Sequence, residues 1–281
     1  MSIPYAPVKL IRVPALCRSL PRWIPSSIRN RRLHSTKTVN EDELNGVFAV
    51  DKPADMTSND VLSILKKSLN PQPRPLSSLG RDSGPRNDTP SSRPKKLKMG
   101  HGGTLDPFAT GVLVVAVGSG TKSLSQYLAC TKEYLVTGVF GSATDTYDLT
   151  GTQTHTAPHA HVTLSSLLAI LPNFQGPIMQ QPPLYSALKR NGVRLYDLAR
   201  HAAATGRPDA LKNIPLPDPR PVTIHELEVV DWITESPPRV TLRVKCSKGT
   251  YIRSLVHDIG KQVGSAAHVV ELRRTRQGEW A

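Results

Sequence analysis

The chain has 281 residues, of which 38% are hydrophobic and 21% are charged, and its formal net charge is +14. This length allows one large domain or two small ones, and no apolar run approaches the roughly 18 residues of a transmembrane helix, so we expect no membrane partner. The three cysteines, Cys17, Cys130 and Cys246, fit neither a disulfide framework nor a C-x-x-C metal or redox motif, which indicates a reducing compartment.

The positive charge is concentrated near the start of the chain. Residues 1–40 carry +8 with no acidic residue before Glu41, residues 68–98 carry +5, and the remainder carries only +1. A leader rich in Arg and Ser is typical of a mitochondrial transit peptide, although its prolines weaken the amphipathic helix that such a leader forms. We therefore predict a disordered basic leader over residues 1–45 and a mitochondrial location. The alternatives are an ordinary basic tail and a nuclear or cytoplasmic location.

Hydrophobic periodicity and turn residues predict the secondary structure in chain order. The first half should contain a strand over 46–50, a helix capped by Thr57 and Ser58 that ends at Leu69, a strand over 112–117, a helix over 124–129, a strand over 132–140 and a polar loop over 141–151. The second half should contain helices over 164–171 and 194–203, strands over 222–230 and 239–246, a turn at 248–250, and a helix after Thr250 whose core face is Ile252, Leu255, Val256 and Ile259. Residues 70–98, with six prolines, are typical of a disordered insertion.

One carboxylate, Asp106, lies in a glycine-rich loop before the strand over 112–117. Pro107 disfavours the helical region for the residue that precedes it, so the carboxylate should be held in extended geometry. Gly102 and Gly103 lack Cβ atoms and would let a second backbone, including that of a nucleic acid, approach closely. The residues alone leave two interpretations open, a catalytic carboxylate and ordinary Asp-Pro turn chemistry.

Two cations in the predicted fold need a partner or solvent. If Thr250 caps the last predicted helix, Arg253 falls at the third helical position, where the helix dipole disfavours a cation. An RNA phosphate or a buried carboxylate would compensate for this charge, and an exposed arginine without a partner is the alternative. Lys52, at the end of the first strand, suits either a phosphate contact or a solvated position.

Three further patterns have a functional and a structural interpretation. Cations and aromatic residues alternate over 181–196, which suits phosphate neutralisation and base stacking, or else the polar face of an amphipathic helix. Residues 118–123 resemble a phosphate loop but fail both the Walker A and the G-x-G-x-x-G spacing. His155, His159 and His161 have no Cys or carboxylate partner nearby, so we predict no metal site there.

Six motifs, taken together and in this order, resemble the TruB family of tRNA pseudouridine synthases in its eukaryotic form. They are Asp51-Lys52-Pro53 with Thr57-Ser58, Gly100 to Pro107, Lys132-Glu133-Tyr134, Pro183 to Lys189, Lys248 to Arg253, and Leu272 to Thr275. The resemblance implies an α+β pseudouridine synthase catalytic fold over residues 46–281, with a mixed, largely antiparallel central sheet flanked by helices and loops.

The resemblance also implies a cofactor-free and metal-free isomerisation of uridine to pseudouridine, typically at position 55 in the T loop of tRNA. Asp106 would be the catalytic aspartate, Tyr134 would stack on the target base, and Arg253 would pair with the aspartate. His101 would fill the space that the flipped uridine leaves in the RNA, and Lys52 would lie at the rim of the site. The other residues that we expect to contact RNA are Tyr185, Lys189, Arg194, Tyr196, Lys248, Arg273 and Arg274.

The residue types suit this chemistry. The glycosidic C1′–N1 bond must break and the ring must re-attach through C5, which needs an ionised carboxylate as nucleophile or base. An adjacent guanidinium favours the ionised carboxylate where water is excluded. Flipping the nucleotide costs a few kcal/mol and stacking on an aromatic side chain is worth about 1–3 kcal/mol, so Tyr134 would offset much of that cost.

Three departures from the family pattern bear on RNA affinity and substrate range. Asp55 stands where the family usually has Gly, the insertion over 70–98 delays the catalytic motif, and we expect no C-terminal RNA-binding domain because the chain ends at Ala281. We expect a monomer that acts on the T stem-loop of tRNA, with mRNA as a further substrate class. The alternative is a non-catalytic tRNA-binding or tRNA-folding factor, and a nucleotide-dependent enzyme is a distant third.

Overall fold

The structure is a computed structural model that describes residues 11–12, 44–69, 97–205 and 214–281. The strands are β1 (Ile11–Arg12), β2 (Gly46–Lys52), β3 (Met99–His101), β4 (Thr110–Val117), β5 (Lys132–Phe140), β6 (Ser142–Thr144), β7 (Gln153–Thr156), β8 (Gly176–Gln180), β9 (Lys189–Arg190), β10 (Val193–Arg194), β11 (Arg220–Ile233), β12 (Arg239–Cys246) and β13 (Ala267–Gln277). The α-helices are α1 (Ser58–Leu69), α2 (Leu124–Ala129), α3 (Leu164–Ile170), α4 (Leu195–Ala204) and α5 (Ile252–Gln262). Most of the predicted leader and of the predicted insertion lies outside the described residues.

A mixed sheet of nine strands forms the centre of the described fold. Its order is β1-β2-β4-β13-β5-β12-β11-β8, with β3 also pairing with β4. The β1–β2 and β4–β13 pairs are parallel and the other pairs of this sheet are antiparallel. Two small hairpins, β6–β7 and β9–β10, lie outside it. This arrangement confirms the predicted α+β class and the largely antiparallel sheet.

The core lies between this sheet and α5. All of β4 from Gly111 to Val117 is buried, and β12 buries every second residue, as its alternating sequence predicts. The four apolar residues predicted for α5 are also buried. The helix approaches β5 so closely at Gly138 that a Cβ there would lie 2.7 Å from Val256 Cγ1. This close packing holds the middle of α5 against β5.

Several elements have the bounds that the sequence predicts, because local patterns decide them. The bounds of α2, β5 and β12 agree with the prediction, and α1 ends at Leu69. A reciprocal cap fixes the start of α1: Asp60 N donates to Thr57 Oγ1 at 3.1 Å, and Thr57 N donates to Asp60 Oδ2 at 2.9 Å. The predicted insertion is too long at its end, since Leu97 is already buried within the fold.

The prediction of a polar loop over 141–151 is wrong in part, because β6 begins there and pairs with β7. All four residues of β7 are exposed, so the strand is held by its pairing with β6 and by a hydrogen bond from Thr154 Oγ1 to Ala143 O at 3.3 Å, and no apolar alternation marks it. His155 therefore lies in a strand, while the rings of His159 and His161 lie 3.2 Å from Ser236 Oγ and 3.1 Å from Val263 O. Within the described ranges, no group of three His, Cys, Asp or Glu residues could hold a metal ion.

The segment that resembles a phosphate loop is a 3-10 helix, Gly118–Ser123. Two of its N–H groups are already paired within the protein, with Lys98 O at 2.8 Å and with Asn45 Oδ1 at 2.6 Å. A second 3-10 helix, Leu171–Phe174, continues α3. None of the helices in the described part of the chain is both long and apolar enough to cross a membrane.

Candidate active site

Asp106 lies in the loop between β3 and β4. Its carbonyl accepts a hydrogen bond from Ala109 N at 3.1 Å, which closes a turn with Pro107 in the second position. The backbone at Asp106 is not helical, as the following proline predicts. The Asp106 side chain is 32% exposed. Asp106 therefore both forms an Asp-Pro turn and presents an accessible carboxylate, so the turn interpretation and the catalytic interpretation are compatible.

Arg253 projects from the first turn of α5 onto this carboxylate. Its Nε donates to Asp106 Oδ2 at 2.7 Å and its Nη2 donates to Oδ1 at 2.9 Å, which is a bidentate pair. The Arg253 side chain is 4% exposed, so the alternative of an exposed arginine is wrong. The predicted cap is also wrong: Thr250 Oγ1 donates back to Ser247 O at 3.0 Å, and Tyr251 is the N-cap. Arg253 is thus the second helical residue.

The other donors of Arg253 bind two further loops. Nη1 donates to Thr146 O at 2.6 Å and lies 3.5 Å from Asp148 Oδ2, and Nη2 also donates to Tyr185 O at 2.9 Å. Asp148 is a buried second carboxylate, with a side chain 4% exposed, and sequence reasoning missed it. In the sequence, an Asp two residues before a Thr indicates a local turn and gives no sign of an ion pair. The structure contains that turn, with Thr150 N donating to Asp148 Oδ1 at 2.9 Å.

Two tyrosines lie close enough to the ion pair for its charges to act on their phenols. Tyr134 is 9% exposed; burial raises its pKa, Arg274 opposes this rise through its charge and a hydrogen bond, and the negative charge of Asp106 adds a smaller rise. Burial also raises the pKa of Tyr251, where the charges of Arg253 and Asp106 act in opposite directions. Gln180 fixes the Tyr251 backbone by accepting from its N–H at 2.8 Å and donating to its carbonyl at 3.0 Å. Both phenols are therefore protonated at neutral pH.

Lys52 is fully buried, so its interpretation as a solvated lysine is wrong. Its ammonium donates to Pro53 O at 2.7 Å, Met56 O at 2.7 Å and Pro107 O at 2.9 Å, which leaves no N–H for the predicted contact with RNA. Burial lowers the pKa of Lys52 to about 8. Asp55, where the family usually has Gly, has a φ of +60°, a left-handed conformation that Asp tolerates better than most residues. Lys52 thus joins β2 to the residue that follows Asp106.

The glycine loop before Asp106 is packed against protein groups. A Cβ on Gly102 would lie 2.6 Å from Tyr127 Cβ, and Gln277 Nε2 donates to Gly102 O at 2.6 Å. Arg274 donates to Gly103 O at 3.2 Å and to a carbonyl of β4 at 2.7 Å, and it is 1% exposed. The predicted RNA contact of Arg274 is therefore wrong, because its guanidinium lies inside the fold and holds this loop. The close approach that the glycines permit is to Tyr127 and Gln277.

Four of the predicted RNA contacts lie in the segment over 181–196, and three of them, Tyr185, Arg194 and Tyr196, contact other side chains of the protein. The Tyr185 hydroxyl donates to Asp145 Oδ2 at 3.3 Å, and burial raises the pKa of Tyr185 to about 12. Arg194 Nη1 donates to the Tyr196 hydroxyl at 2.7 Å, and the Arg200 guanidinium carbon lies 5.5 Å from the centre of the Tyr196 ring. Tyr196 therefore contacts two exposed arginines, Arg194 at the end of the β9–β10 hairpin and Arg200 in α4.

The remaining predicted contacts differ in their exposure. Lys189 and Lys248 are exposed, and Arg273, although exposed, donates to both carboxylate oxygens of Asp51 at 3.0 Å. His101 is partly buried on β3, and burial lowers its pKa, so its ring is mainly neutral at pH 7. The roles of these residues toward RNA stay predictions.

The geometry at Asp106 is that of an oriented nucleophile or base. The carboxylate is open on one side, its other side is held by a buried guanidinium, and two protonated phenols are near. A carboxylate fixed in this way can attack a carbon atom or accept a proton from a ring that lies beside it.

Comparison with known proteins gives a family for this site. The family model described as the TruB family pseudouridylate synthase N-terminal domain matches residues 92–252, and the model for the tRNA pseudouridylate synthase B C-terminal domain matches residues 253–280. The chain is 44% identical over 235 residues to the pseudouridylate synthase TRUB1 of Mus musculus, covering 84% of this chain and 63% of that protein. It is 38% identical over 237 residues to the tRNA pseudouridine synthase B of Geobacter sulfurreducens, covering 84% of this chain and 65% of that protein.

Solved structures give the same fold. The structure of an H/ACA RNP bound to a substrate RNA containing 2′-deoxyuridine matches with a TM-score of 0.52 and 26% identity, over 85% of this chain and 49% of that chain. A Cbf5-Nop10-Gar1 complex matches with a TM-score of 0.55 and 29% identity, over 86% of this chain and 50% of that chain. The chain thus spans less than two thirds of the length of these relatives and about half of these structures.

Proposed function

Because this chain belongs to the TruB family of pseudouridylate synthases, we propose that it isomerises uridine to pseudouridine in tRNA. The observation that carries the proposal is the bidentate pair between Arg253 and the half-open carboxylate of Asp106. The names of the relatives, pseudouridylate synthase and tRNA pseudouridine synthase, support the substrate class.

The reaction is an isomerisation in which no group is gained or lost overall. The C1′–N1 bond of the uridine breaks, a C1′–C5 bond forms, the proton on C5 leaves, and N1 ends with a proton. Asp106 acts as the nucleophile or base of this reaction, and the bidentate pair with Arg253 keeps the carboxylate aimed at the open side of the site. Because Arg253 is buried and bonded to four acceptors, the carboxylate does not have to be reoriented when the substrate enters.

The target nucleotide must leave its stack to reach Asp106. Extrusion costs a few kcal/mol, and contact with an aromatic ring returns about 1–3 kcal/mol. Tyr134 supplies that ring, and Tyr251, at the start of α5, gives a second aromatic surface. His101, mainly neutral, fills the gap that the flipped base leaves in the RNA.

The expected target is position 55 in the T stem-loop of tRNA, which is the usual target of the family. An mRNA that forms a similar stem-loop is a second substrate class, because a local hairpin is all that a short base-flipping site has to recognise. The protein is expected to act as a monomer. The basic leader over 1–45 directs it to the mitochondrion, which imaging of the tagged chain with and without residues 1–45 would test.

Incubation of the protein with an unmodified tRNA transcript, followed by mapping of pseudouridine, tests the proposal. We expect product at a single uridine of the T loop, loss of all product in Asp106→Asn, and unchanged tRNA binding by that variant. Glu228→Gln is a matched control because it removes one carboxylate charge from an exposed pair with Arg243, and it should keep full activity.

Full activity in Asp106→Asn, or no product from the unaltered chain on any tRNA, would overturn the proposal. In the second case, intact tRNA binding would leave the alternative of a non-catalytic tRNA-binding or tRNA-folding factor. A map of pseudouridine across cellular RNA with and without the protein would then identify the targets and their compartment.

A further inference from the structure

Helix α5 contacts the loop over 146–148 at two points that lie one helical turn apart. The first is Arg253, which binds Thr146 O and pairs with Asp148. The second is His257, whose ring stacks on that of Tyr147 with centroids 3.9 Å apart and planes inclined by 9°. Residues four apart on a helix lie on the same face. The three consecutive residues of the loop are therefore all held by one face of α5.

The Tyr147 backbone is in an unusual conformation. Its φ is +62°, in the left-handed region that residues other than glycine avoid. Such a conformation persists where the surroundings over-determine it, and it is found preferentially at functional sites. Here the loop is also bonded to β13 on both sides of Asp148, with Val269 N donating to Tyr147 O at 3.0 Å and Leu149 N donating to Val269 O at 2.8 Å.

His257 presents a ring face to Tyr147, while its polar atoms are only partly satisfied, by a hydrogen bond with the Ala267 backbone. Its Nδ1 is buried and has no hydrogen-bond partner in the described part of the chain. Burial lowers the pKa of His257 to about 4, so the ring is neutral at pH 7 and is unsuited to proton transfer there. What the ring does provide is a flat, partly buried surface that the Tyr147 ring covers.

We propose that Tyr147 and His257 are positioning residues for the catalytic ion pair. The stack presses the loop against α5, so that Thr146 O and the Asp148 carboxylate stay on Nη1 of Arg253. This leaves Nε and Nη2 of Arg253 directed at Asp106. The inference rests on the proposed function, because its consequence is the alignment of the carboxylate that acts on the uridine.

The alternative is that the stack is an ordinary packing contact that contributes to stability alone. The two interpretations differ in what happens when Asp148 is already altered. If the stack acts through Asp148, Tyr147→Gly has little further effect in an Asp148→Asn background. If it is a packing contact that is independent of Asp148, the free-energy losses caused by the two substitutions add, as they do for independent sites.

The experiment measures kcat, KM for tRNA and Tm for Tyr147→Gly, His257→Ala and Asp148→Asn, alone and combined. Glycine accepts a positive φ without strain, so Tyr147→Gly removes the ring and leaves the loop conformation available. We expect each single change to lower kcat at least about tenfold with KM nearly unchanged, because misplacement of a catalytic group by about 1 Å costs up to about a hundredfold. Tyr147→Phe, which keeps the ring, should restore kcat to within about twofold.

Trp232→Ala is the matched control, because Trp232 belongs to another aromatic pair, with Phe140, whose ring centres lie 6.0 Å apart. This variant should have a lower Tm but an unchanged kcat at temperatures below its unfolding transition. The proposal is overturned if Tyr147→Gly and His257→Ala keep full kcat, if their losses add to that of Asp148→Asn, or if Tyr147→Phe fails to restore kcat. Failure of the proposed function looks different, since the unaltered chain would then form no pseudouridine.

Discussion

Arg253 and Asp106 are 147 residues apart in the chain, yet Nε and Nη2 of the guanidinium donate to both oxygens of the carboxylate at 2.7 and 2.9 Å. The pair joins the loop between β3 and β4 to the first turn of α5. The same guanidinium also binds carbonyls of two further loops. The alignment of the carboxylate therefore depends on how these loops and the helix dock together.

Arg253→Lys keeps the charge but cannot form the bidentate pair. A single ammonium reaches one oxygen of Asp106 and leaves the carbonyls of Thr146 and Tyr185 without their donor. We expect kcat to fall on the order of 100-fold, with the Kd for tRNA nearly unchanged because Arg253 is buried. Single-turnover assays and binding titrations with the same tRNA measure the two quantities.

Arg243→Lys is the control for this substitution. Arg243 pairs with Glu228 at 3.4 Å, and both side chains are more than half exposed, so the pair is worth at most about 1 kcal/mol. Its kcat should match that of the unaltered protein. A loss in kcat of less than about threefold for Arg253→Lys would mean that charge alone, and not the bidentate geometry, orients Asp106.

The sequence predicts the elements whose signal is local. Thr57 and Asp60 cap α1 in a reciprocal pattern that can be read from four residues, and the alternation over 239–246 identifies β12. It does not predict β7, because four exposed polar residues that pair mainly through their backbone carry no hydrophobic periodicity. Elements that are stabilised by pairing and not by burial therefore cannot be recognised from hydrophobic periodicity.

The same distinction applies to the site. The poor fit of Arg253 to a helix start predicts an anionic partner, and the structure confirms that this partner is Asp106. Lys52 and Arg274 are fully buried cations that the sequence presents as surface charges. A charged residue is usually exposed, and only the folded chain brings together the carbonyl groups that make its burial possible.

Tyr185→Phe separates two roles of this residue. The ring would still stack on a base, whereas the hydrogen bond from the hydroxyl to Asp145 Oδ2 would be lost. The backbone carbonyl of Tyr185 accepts a hydrogen bond from Arg253, so loosening of the loop that holds Tyr185 should lower kcat. The loss should be up to roughly fivefold if the lost hydrogen bond to Asp145 is worth about 1 kcal/mol. Kinetics of Tyr185→Phe, Asp145→Asn and the double variant give the coupling between them.

The double variant should be no worse than the poorer single variant. Unchanged kcat in Tyr185→Phe, together with a large rise in KM for Tyr185→Ala, would favour the original hypothesis that the ring contacts RNA.

Stability should fall in mild acid partly because of His257. Its ordinary pKa is 6.5 and burial lowers the pKa to about 4 in the fold. Between these values the unfolded chain binds a proton that the native chain does not, so the contribution of His257 is fully present above pH 6.5 and is lost as the pH falls toward 4. Thermal unfolding of the unaltered protein and of His257→Phe across this range checks the sign.

His257→Phe keeps a flat ring against Tyr147 and cannot take up a proton, so its Tm should decline less steeply in acid. Other titratable groups nearby, including Asp258 and Lys261, are common to both proteins and cancel in the difference. Parallel curves would show that His257 is protonated equally well in the folded and unfolded states.

Exposed and buried cations should differ in the salt dependence of tRNA binding. Lys189, Arg194 and Lys248 are exposed. For each one that contacts a phosphate, substitution by Ala should reduce the magnitude of the slope of log K against log salt by about 0.7–0.9 and leave kcat unaffected.

Arg274, in contrast, is 1% exposed and donates to Gly103 O and Val112 O. Arg274→Ala should leave the slope unchanged and lower Tm and kcat together, because buried acceptors lose their donor at about 1–3 kcal/mol each and the Asp106 loop loses its support. Binding titrations at several salt concentrations, with thermal unfolding of each variant, make the comparison. A reduced slope for Arg274→Ala at unchanged Tm would instead mean that Arg274 turns outward to a phosphate when RNA binds.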